Sequence, residues 1–558
     1  MSTDKEKIAS AVKAALKNEA AKTEVSLPSD FDIFVERPKV ASRGEWATNA
    51  AMKFAKQFGL APMELAARLA ASIEKAGLIE EIEAVAPGFL NFTLARRWVG
   101  KTIKTVLEQG ERYGANDLGR GRRVQVEFVS ANPTGPIHLG HGRGGVVGDV
   151  MSSILAFSGW EVKREYYVND AGLQMENLGR STQSRYFASW GREDEAPFPE
   201  DGYPGDYIDG IARVISDEYG DSLLSRPLGE TLPIFRDKTC ELVLEMIKRD
   251  LSDFGINFDV WFSERSLYND DLVERTIELL KKNGYAYDAD GAVWFKATAF
   301  GDDKDRVMIR NNGVPTYFTS DTAYLLDKYE RKFDLLIYIW GADHHGYVPR
   351  IRSVNKALGK KDESLEFLLI QFVSLLRNGE PVAMSKRAGT FVTLREVMDE
   401  VGKDAARFFF VNRKCDSHLE FDLEVAKRTS SENPVYYVQY AHARSCSILR
   451  EAAARGIKLP PIDDVDLNLL SEPCEVRLAK EISRFPEEVE KASSALEPHR
   501  IAFYASNLAE AFHSFYNSLK VLGESPDLMN ARLTLVEASR AAISNALKLL
   551  GVSPPEKM

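Results

Sequence analysis

The segment that most constrains this chain joins a buried strand to a helix and carries two histidines. Four apolar residues, Val124, Val126, Phe128 and Val129, predict a buried strand, and the apolar positions of residues 146–155 recur at helical spacing. Between them lies SANPTGPIHLGHG, residues 130–142. Its proline and glycine positions break regular structure, so the segment predicts a turn from a strand into a helix.

His138 and His141 stand near the predicted start of that helix. Free backbone N–H groups and the helix dipole attract phosphate there, and a spacing of three residues puts both imidazoles on one face. Gly140 lets a planar base approach the backbone. Two histidines at a turn are more often solvated or core residues, but the whole run indicates nucleotide chemistry.

Composition leaves most function classes open. At 558 residues the chain predicts two to four domains, and 44% hydrophobic with 28% charged residues is typical of a globular protein. No segment approaches the ~20 apolar residues of a membrane span, so we expect a cytoplasmic protein. The four cysteines lie far apart, which argues against a structural metal site. A net charge of -11 argues against indiscriminate polyanion binding.

The pattern of elements predicts three domains. Residues 1–112 indicate an α/β module, and a Gly-rich linker follows at 110–121. Residues 113–430 alternate strands with helices, which predicts a doubly wound parallel sheet of the Rossmann type with an insertion around 180–235. Residues 431–558 predict an all-α bundle. The strands are expected at 124–129, 162–168, 335–340 and 367–376, and the C-terminal helices at 435–449, 475–493, 499–522 and 531–550.

Two further clusters follow predicted strands. Asp343 and His344 come directly after strand 335–340, where doubly wound sheets bind ligands. They could equally cap a turn or hold a metal. Lys386 and Arg387 lie in a polar loop after strand 367–376, and a lysine on such a loop can neutralise charge during phosphoryl or adenylyl transfer. By itself that loop would more often be a solvated basic segment.

These three clusters, in this order, resemble the class I aminoacyl-tRNA synthetases. HLGH at 138–141 resembles their HIGH signature, and MSK at 384–386 resembles the core of their KMSKS loop. Four further segments are similar to arginyl-tRNA synthetases: EFVSANPTG at 127–135, PTY with DTAY at 315–317 and 321–324, NPVYYVQYAHAR at 433–444, and the tail 549–558. The resemblance implies that L-arginine is activated with ATP to arginyl-adenylate and transferred to the 3′-terminal adenosine of tRNA(Arg), with release of AMP and pyrophosphate.

The resemblance also assigns site residues. It implies that arginine is bound by Glu127, Ser130, Asn132, Tyr317, Asp321 and His344. A planar cation with five donors requires carboxylates and a hydroxyl in its plane, which suits Asp321 and Tyr317 on one helix face. It implies that ATP is bound by Pro136, Gly140, Gly341, Asp343, Met384, Ser385 and Arg387, with His138, His141 and Lys386 as the catalytic residues. It implies that tRNA is bound by Tyr436, Tyr437, Tyr440, His442 and Arg444. The tyrosines could instead be ordinary helix packing.

One departure from the family pattern concerns the phosphate site. Ala383 stands where the KMSKS pattern has its first lysine, and Arg387 where it has its final serine. This leaves Lys386 as the expected catalytic cation. Mg²⁺ on the ATP phosphates is expected from the chemistry, with no dedicated carboxylate cage visible. The resemblance further implies a monomer whose adenylate formation needs bound tRNA.

Three alternatives stay open at this point. A small-molecule nucleotidylyltransferase shares HxGH but usually lacks flanking RNA-binding modules. Another class I specificity, such as cysteinyl, would need zinc-binding cysteines that this chain lacks. A catalytically silent tRNA-binding protein would not require His138, His141, Asp343 and Lys386.

Overall fold

The computed structural model describes residues 4–38, 43–382 and 392–558, apart from the side chain of Asn269. The chain divides into two compact units. One contains Met1–Glu108, Ile457–Lys480 and Lys520–Leu535, and the other contains Gln109–Gly456, Glu481–Leu519 and Val536–Met558. Segments of the C-terminal third of the chain therefore belong to both units.

The N-terminal segment combines helices with a small antiparallel sheet. Its elements in chain order are α1 (Asp4–Lys22), β1 (Val35–Glu36), β2 (Trp46–Thr48), α2 (Ala50–Phe58), α3 (Pro62–Ser72), β3 (Ile79–Val85), β4 (Phe89–Leu94) and α4 (Arg97–Gln109). The sheet has the order β1-β2-β4-β3. Helix α1 buries Ile8, Val12 and Leu16, which recur every four residues and so lie along one face.

A five-stranded parallel sheet follows, which confirms the predicted fold class. Its strands are β5 (Arg123–Glu127), β6 (Glu161–Val168), β7 (Val260–Ser263), β11 (Leu335–Gly341) and β12 (Leu365–Ile370). The spatial order is β12-β11-β5-β6-β7, so the chain order runs outwards in both directions from β5. The carboxyl ends of β5 and β11 therefore meet at the switch point, where open α/β sheets bind ligands.

Helices connect these strands. Helix α5 (Leu139–Phe157) joins β5 to β6, and α6 (Leu173–Ser189), α7 (Asp206–Tyr219) and α8 (Leu228–Asp253) lie between β6 and β7. The next elements are α9 (Glu264–Asn269), α10 (Leu272–Lys282), β8 (Ala286–Ala289), β9 (Ala292–Phe295), β10 (Arg306–Ile309), α11 (Tyr317–Glu330) and α12 (Val348–Ala357). Strands β8 to β10 form a separate antiparallel sheet that sequence patterning did not predict.

The prediction of a single strand at 367–376 is wrong, because this segment forms two strands that belong to different sheets. Strand β12 ends at Ile370, and β13 (Val373–Arg377) pairs with β14 (Glu380–Pro381) and β15 (Leu419–Asp422). The chain changes sheets at Gln371, whose carbonyl accepts a hydrogen bond from Arg143 at 2.7 Å. Continuous apolar character hid this break, since both strands are apolar.

The remaining elements are helices, and those after residue 430 were predicted. They are α13 (Leu394–Val401), α14 (Lys403–Val411), α15 (Leu423–Lys427), α16 (Pro434–Ala454), α17 (Pro473–Ser483), α18 (Phe485–Ala495), α19 (His499–Ser518) and α20 (Pro526–Leu549). The one helix expected at 475–493 is two helices, because Pro486 lies in the first turn of α18 and cannot continue α17. None of the helices among the described residues has the length and apolar character needed to cross a bilayer.

Candidate active site

The chain leaves strand β5 in a strained turn. Val129 and Ser130 both have positive φ, 67° and 41°, which costs energy in residues with a side chain. The Ser130 hydroxyl accepts a hydrogen bond from the Tyr167 amide at 3.1 Å, and the Ala131 carbonyl accepts one from the Tyr166 hydroxyl at 2.7 Å. Strand β6 thus holds the turn in place.

The two histidines of HLGH stack against each other at the start of α5. Their ring centroids lie 3.8 Å apart, with 22° between the ring planes. His138 is the N-cap of α5, and its Nδ1 accepts a hydrogen bond from the Gly140 amide at 3.1 Å. This bond assigns the proton of a neutral His138 to Nε2. A Cβ atom on Gly140 would lie 3.0 Å from the His138 ring, so only glycine fits without displacing it.

A short backbone pairing ties this segment to the residues before α13. The Leu139 amide donates to the Val392 carbonyl at 3.2 Å, and the Leu394 amide donates to the Ile137 carbonyl at 2.9 Å. Thr393 then begins α13 with a capping box. The sequence-predicted residues Met384, Ser385, Lys386 and Arg387 lie outside the described residues.

Asp321 lies on α11, close enough to the carboxylates of Glu264 and Glu127 for their charges to act on it. Its carboxylate accepts a hydrogen bond from the Tyr347 hydroxyl at 2.5 Å. Burial raises the pKa of Asp321 to about 7; the Tyr347 hydrogen bond lowers it, and the nearby charges of Glu264 and Glu127 raise it. Tyr317, four residues earlier on α11, is 65% exposed. Tyr317 and Asp321 lie on the same helix, as predicted.

Glu127, the last residue of β5, belongs to a buried ionic layer. Its Oε2 lies 2.5 Å from the Nζ of Lys328, and its Oε1 accepts a hydrogen bond from Ser130 at 3.4 Å. Beside it, Glu165 accepts hydrogen bonds from Tyr324 and from the Arg331 guanidinium. Burial raises the pKa of Glu127 despite Lys328. In contrast, the Arg331 and Lys328 charges outweigh burial at Glu165 and lower its pKa.

Sequence reasoning missed Glu264, the first residue of α9. Its side chain is 3% exposed, and burial raises its pKa. The side-chain nitrogen of Asn169, in the orientation that satisfies both of its amide atoms, donates to the Ala171 carbonyl at 3.3 Å and to Glu264 at 2.8 Å. Glu264 faces Asp321 closely enough to raise the pKa of that group. It stands outside every recognised motif, so no local signal marks it.

Asp343 and His344 lie in a turn at the end of β11 and are both exposed. An atom at the Cβ position of Gly341 would lie 2.3 Å from Oδ1 of Asp343. The Asp343 carboxylate can therefore keep this position only if residue 341 is glycine. His344 Nε2 lies 3.7 Å from Asp343 Oδ2, and the His344 ring packs near Trp340. Within the described ranges, no contact brings His344 to Glu127 or Asn132. Asn132 instead donates to Gln174 at 2.7 Å, and Pro136 is half-buried.

An aromatic cluster lies on α16. The Tyr436 and Tyr440 rings stack at 6.0 Å, and the Arg444 guanidinium lies 5.0 Å from the Tyr440 ring and 4.9 Å from that of Tyr516. Tyr437 packs on His513 at 4.4 Å. These side chains are partly exposed, which suits stacking on bases.

His442 is placed differently from the rest of this group. It is 2% exposed, and its Nδ1 lies 2.9 Å from the Pro555 carbonyl. Arg450 and Gln439 bind the carbonyls of Glu556 and Ser553. His442 thus fixes the C-terminal tail on α16.

Family models match nearly the whole chain. The arginyl tRNA synthetase N terminal domain matches residues 6–94, and the class I (R) tRNA synthetase catalytic domain matches 102–186 and 230–428. The DALR anticodon binding domain matches 438–558. Residues 187–229, which include α7, lie outside the match to the catalytic model.

Individual relatives agree with these models. Arginine–tRNA ligase of Carboxydothermus hydrogenoformans is 49% identical over 94% of each chain, and that of Bacillus subtilis is 46% identical over 98% of each chain. The solved arginyl-tRNA synthetase of Thermus thermophilus has the same fold, with a TM-score of 0.77 over the full length of both chains at 22% identity.

Proposed function

Because this chain belongs to the arginyl-tRNA synthetase family, we propose that the carboxyl ends of β5 and β11 form the site of that family's reaction. The enzyme activates L-arginine with ATP to arginyl-adenylate and transfers it to the 3′-terminal adenosine of tRNA(Arg), releasing AMP and pyrophosphate. This membership excludes the cysteinyl, small-molecule and catalytically silent alternatives.

The observation that carries the site assignment is the state of Asp321. Its carboxylate is partly buried near Glu264 and accepts a hydrogen bond from the Tyr347 hydroxyl, but it forms no ion pair with any described cation. A guanidinium supplies the missing positive charge together with several donors for two carboxylates. We assign the guanidinium of arginine to Asp321 and Glu264, with the Tyr317 hydroxyl at the pocket mouth.

The α-amino acid end would then lie towards the turn after β5. Glu127 supplies a carboxylate for the ammonium group, and Ser130 and Asn132 supply polar groups beside it. His344 would orient this end only after a change in its side chain, since its present partners are Asp343 and Trp340. The α-carboxylate would be left free to attack the α-phosphorus of ATP.

The ATP phosphates would lie at the N-terminus of α5. His138 and His141 would stabilise the charge on the pentavalent phosphorus, His138 by donating from Nε2. Gly140, Pro136 and Gly341 would accommodate the adenosine, and the exposed Asp343 would bind ribose hydroxyls. Lys386 would accompany the leaving pyrophosphate, with Met384, Ser385 and Arg387 beside it.

Mg²⁺ is expected with ATP as the counter-ion of the phosphates. The described residues hold no group of three or more His, Cys, Asp or Glu side chains able to bind a metal ion. The part of the chain that the structure describes therefore holds no side-chain cage for magnesium.

The outer regions would bind tRNA. Residues 1–112 would contact the tRNA body, 113–430 would carry out catalysis, and 431–558 would read the anticodon. Tyr436, Tyr437, Tyr440 and Arg444 would stack on unpaired bases and pair with phosphate, while His442 would act through the tail that it holds. We further propose a cytoplasmic monomer.

Arginine-dependent ATP/pyrophosphate exchange tests this assignment. Purified protein is assayed with and without tRNA(Arg), with lysine as the control amino acid. Exchange with arginine only in the presence of tRNA supports the site and the tRNA requirement. Exchange with arginine alone refutes the tRNA requirement, and absence of exchange in all conditions refutes the proposed site.

A further inference from the structure

A fully buried lysine lies beneath the proposed arginine pocket. Lys328 is on α11, two turns after Asp321, and its side chain is 0% exposed. Its Nζ lies 2.5 Å from Glu127 Oε2, 3.7 Å from the centroid of the Tyr338 ring and 4.2 Å from that of Tyr324. Two aromatic faces and one carboxylate thus surround the ammonium group.

Stability alone gives no reason for this lysine. A buried ion pair seldom stabilises a protein more than apolar residues of the same volume, because both charges lose their hydration. The neighbouring carboxylate of Glu165 already receives a bidentate Arg331 and the Tyr324 hydroxyl. Lys328 therefore has Glu127 as its direct carboxylate partner.

We propose that Lys328 is a positioning residue for amino-acid recognition, which holds Glu127 ionised and oriented towards the substrate ammonium group. Lys328 holds Oε2 of Glu127, and Ser130, itself fixed by the Tyr167 amide, holds Oε1. The carboxylate is thereby fixed before arginine binds, and binding need not order it. This inference rests on the proposed contact between Glu127 and arginine.

The surroundings of Glu127 show why a cation is needed. The titratable groups that face it, besides Lys328, are Glu165 and Tyr167 of β6, Tyr324 and Asp321 of α11, and Tyr338 of β11. The two carboxylates among them oppose its ionisation, and so does burial. Without Lys328 the pKa of Glu127 would rise further, and a protonated Glu127 cannot pair with an ammonium group.

The test compares four variants by ATP/pyrophosphate exchange with saturating tRNA, over a pH range around neutrality. Lys328→Met removes the charge at similar volume, Glu127→Gln removes its partner, and a double variant removes both. Gln125→Leu is the matched control, because Gln125 is fully buried on the same face of β5 and neither of its amide atoms has a hydrogen-bond partner among the described residues.

We expect Lys328→Met to raise the arginine KM about 10- to 100-fold, the effect of losing a charge-assisted contact. The ATP KM should change less than about twofold, because the phosphate site is untouched. As pH rises, the arginine KM of this variant should fall, since Glu127 regains its charge. The double variant should match Glu127→Gln and lose that pH dependence, and Gln125→Leu should resemble the parent enzyme.

Each other outcome overturns a defined part of the argument. An unchanged arginine KM in Glu127→Gln would refute the proposed contact of Glu127 itself. A raised KM in Glu127→Gln but not in Lys328→Met would leave that contact intact and refute the positioning role. Equal increases in both KM values, without pH dependence, would assign Lys328 to packing. If Lys328→Met does not fold, Lys328→Gln retains a donor to Glu127 without the charge and should show the same pH dependence; failure of both to fold would make Lys328 structural and overturn the inference.

Discussion

Replacing Asp321 by asparagine should stabilise the ligand-free enzyme above neutral pH. Burial raises the pKa of this carboxyl from 3.8 to about 7, which corresponds to a cost of about 4 kcal/mol for its ionised form. Since the folded pKa lies above the unfolded one, the stability contributed by protonated Asp321 is fully present below pH 3.8 and is lost as pH rises through 7. Asparagine is never charged and keeps an oxygen for the Tyr347 hydroxyl.

The expected gain for Asp321→Asn at pH 8 is therefore up to about 4 kcal/mol, an upper bound because the carboxylate is partly exposed. At pH 4 the parent is itself protonated, and the two proteins should unfold together. Thermal unfolding without ligands, at pH 8 and near pH 4, measures both. The variant should also lose its response to arginine, whereas arginine at 100 times its Kd should stabilise the parent by about 2.7 kcal/mol.

Asp303→Asn is the matched control, because it makes the same change at a carboxylate that is 72% exposed. Its unfolding should follow the parent at both pH values. The reasoning is refuted if Asp321→Asn unfolds at a lower temperature than the parent at pH 8, or if its advantage is the same at both pH values. Unimpaired stabilisation by arginine would remove Asp321 from the guanidinium site.

Three further changes test other parts of the site. His138→Ala should slow adenylate formation about 10²- to 10³-fold in a single-turnover assay, with tRNA affinity in filter binding unchanged. Arg143→Met should lower the free energy of unfolding by about 3 kcal/mol in urea titrations, because the buried guanidinium of Arg143 donates to three backbone carbonyls that would lose their donor; an exposed arginine changed in the same way should have almost no effect. Arg444→Ala should weaken tRNA binding about tenfold, because its guanidinium lies on the rings of Tyr440 and Tyr516 in the proposed tRNA-binding cluster. The arginine KM should stay unchanged, since Arg444 is not among the residues assigned to arginine. Unchanged tRNA affinity would show that this cluster only packs the helices.

Local sequence patterns were sufficient to predict those elements whose formation depends on neighbouring residues in the chain. The strand and helix on either side of HLGH were predicted within a few residues, because burial and helical spacing are properties of neighbouring positions. The same holds for the end of β11, which carries Asp343. Parallel pairing of β5 and β11 then brings the two strand ends together at one edge of the sheet.

The parts that were missed depend on contacts between distant segments. Strand β7 has four partly buried residues without alternation, so nothing in the sequence marked it or Glu264 directly after it. Lys328 was not singled out from the sequence, because its burial depends on Glu127, which lies about 200 residues earlier and 2.5 Å from its Nζ. His442 lies in the same run as the partly exposed tyrosines, but the tail of the chain covers it.

The buried carboxylates below and within the pocket differ in one respect, which is how completely the protein neutralises them. The Arg331 guanidinium and the Tyr324 hydroxyl bind Glu165, whose pKa lies below its ordinary value, whereas Glu127 has the Lys328 ammonium and a longer bond from Ser130, and burial raises its pKa. Among the described residues, Asp321 has the Tyr347 hydroxyl as its hydrogen-bond partner and no ion pair, and burial raises its pKa to about 7. Neutralisation therefore decreases from the buried layer towards the pocket, where the proposed substrate brings its own cations. A cation added to the protein beside Asp321 would stabilise the empty enzyme and compete with the guanidinium. The low stability of this carboxylate in the empty protein would thus make a guanidinium its favoured partner in the proposed site.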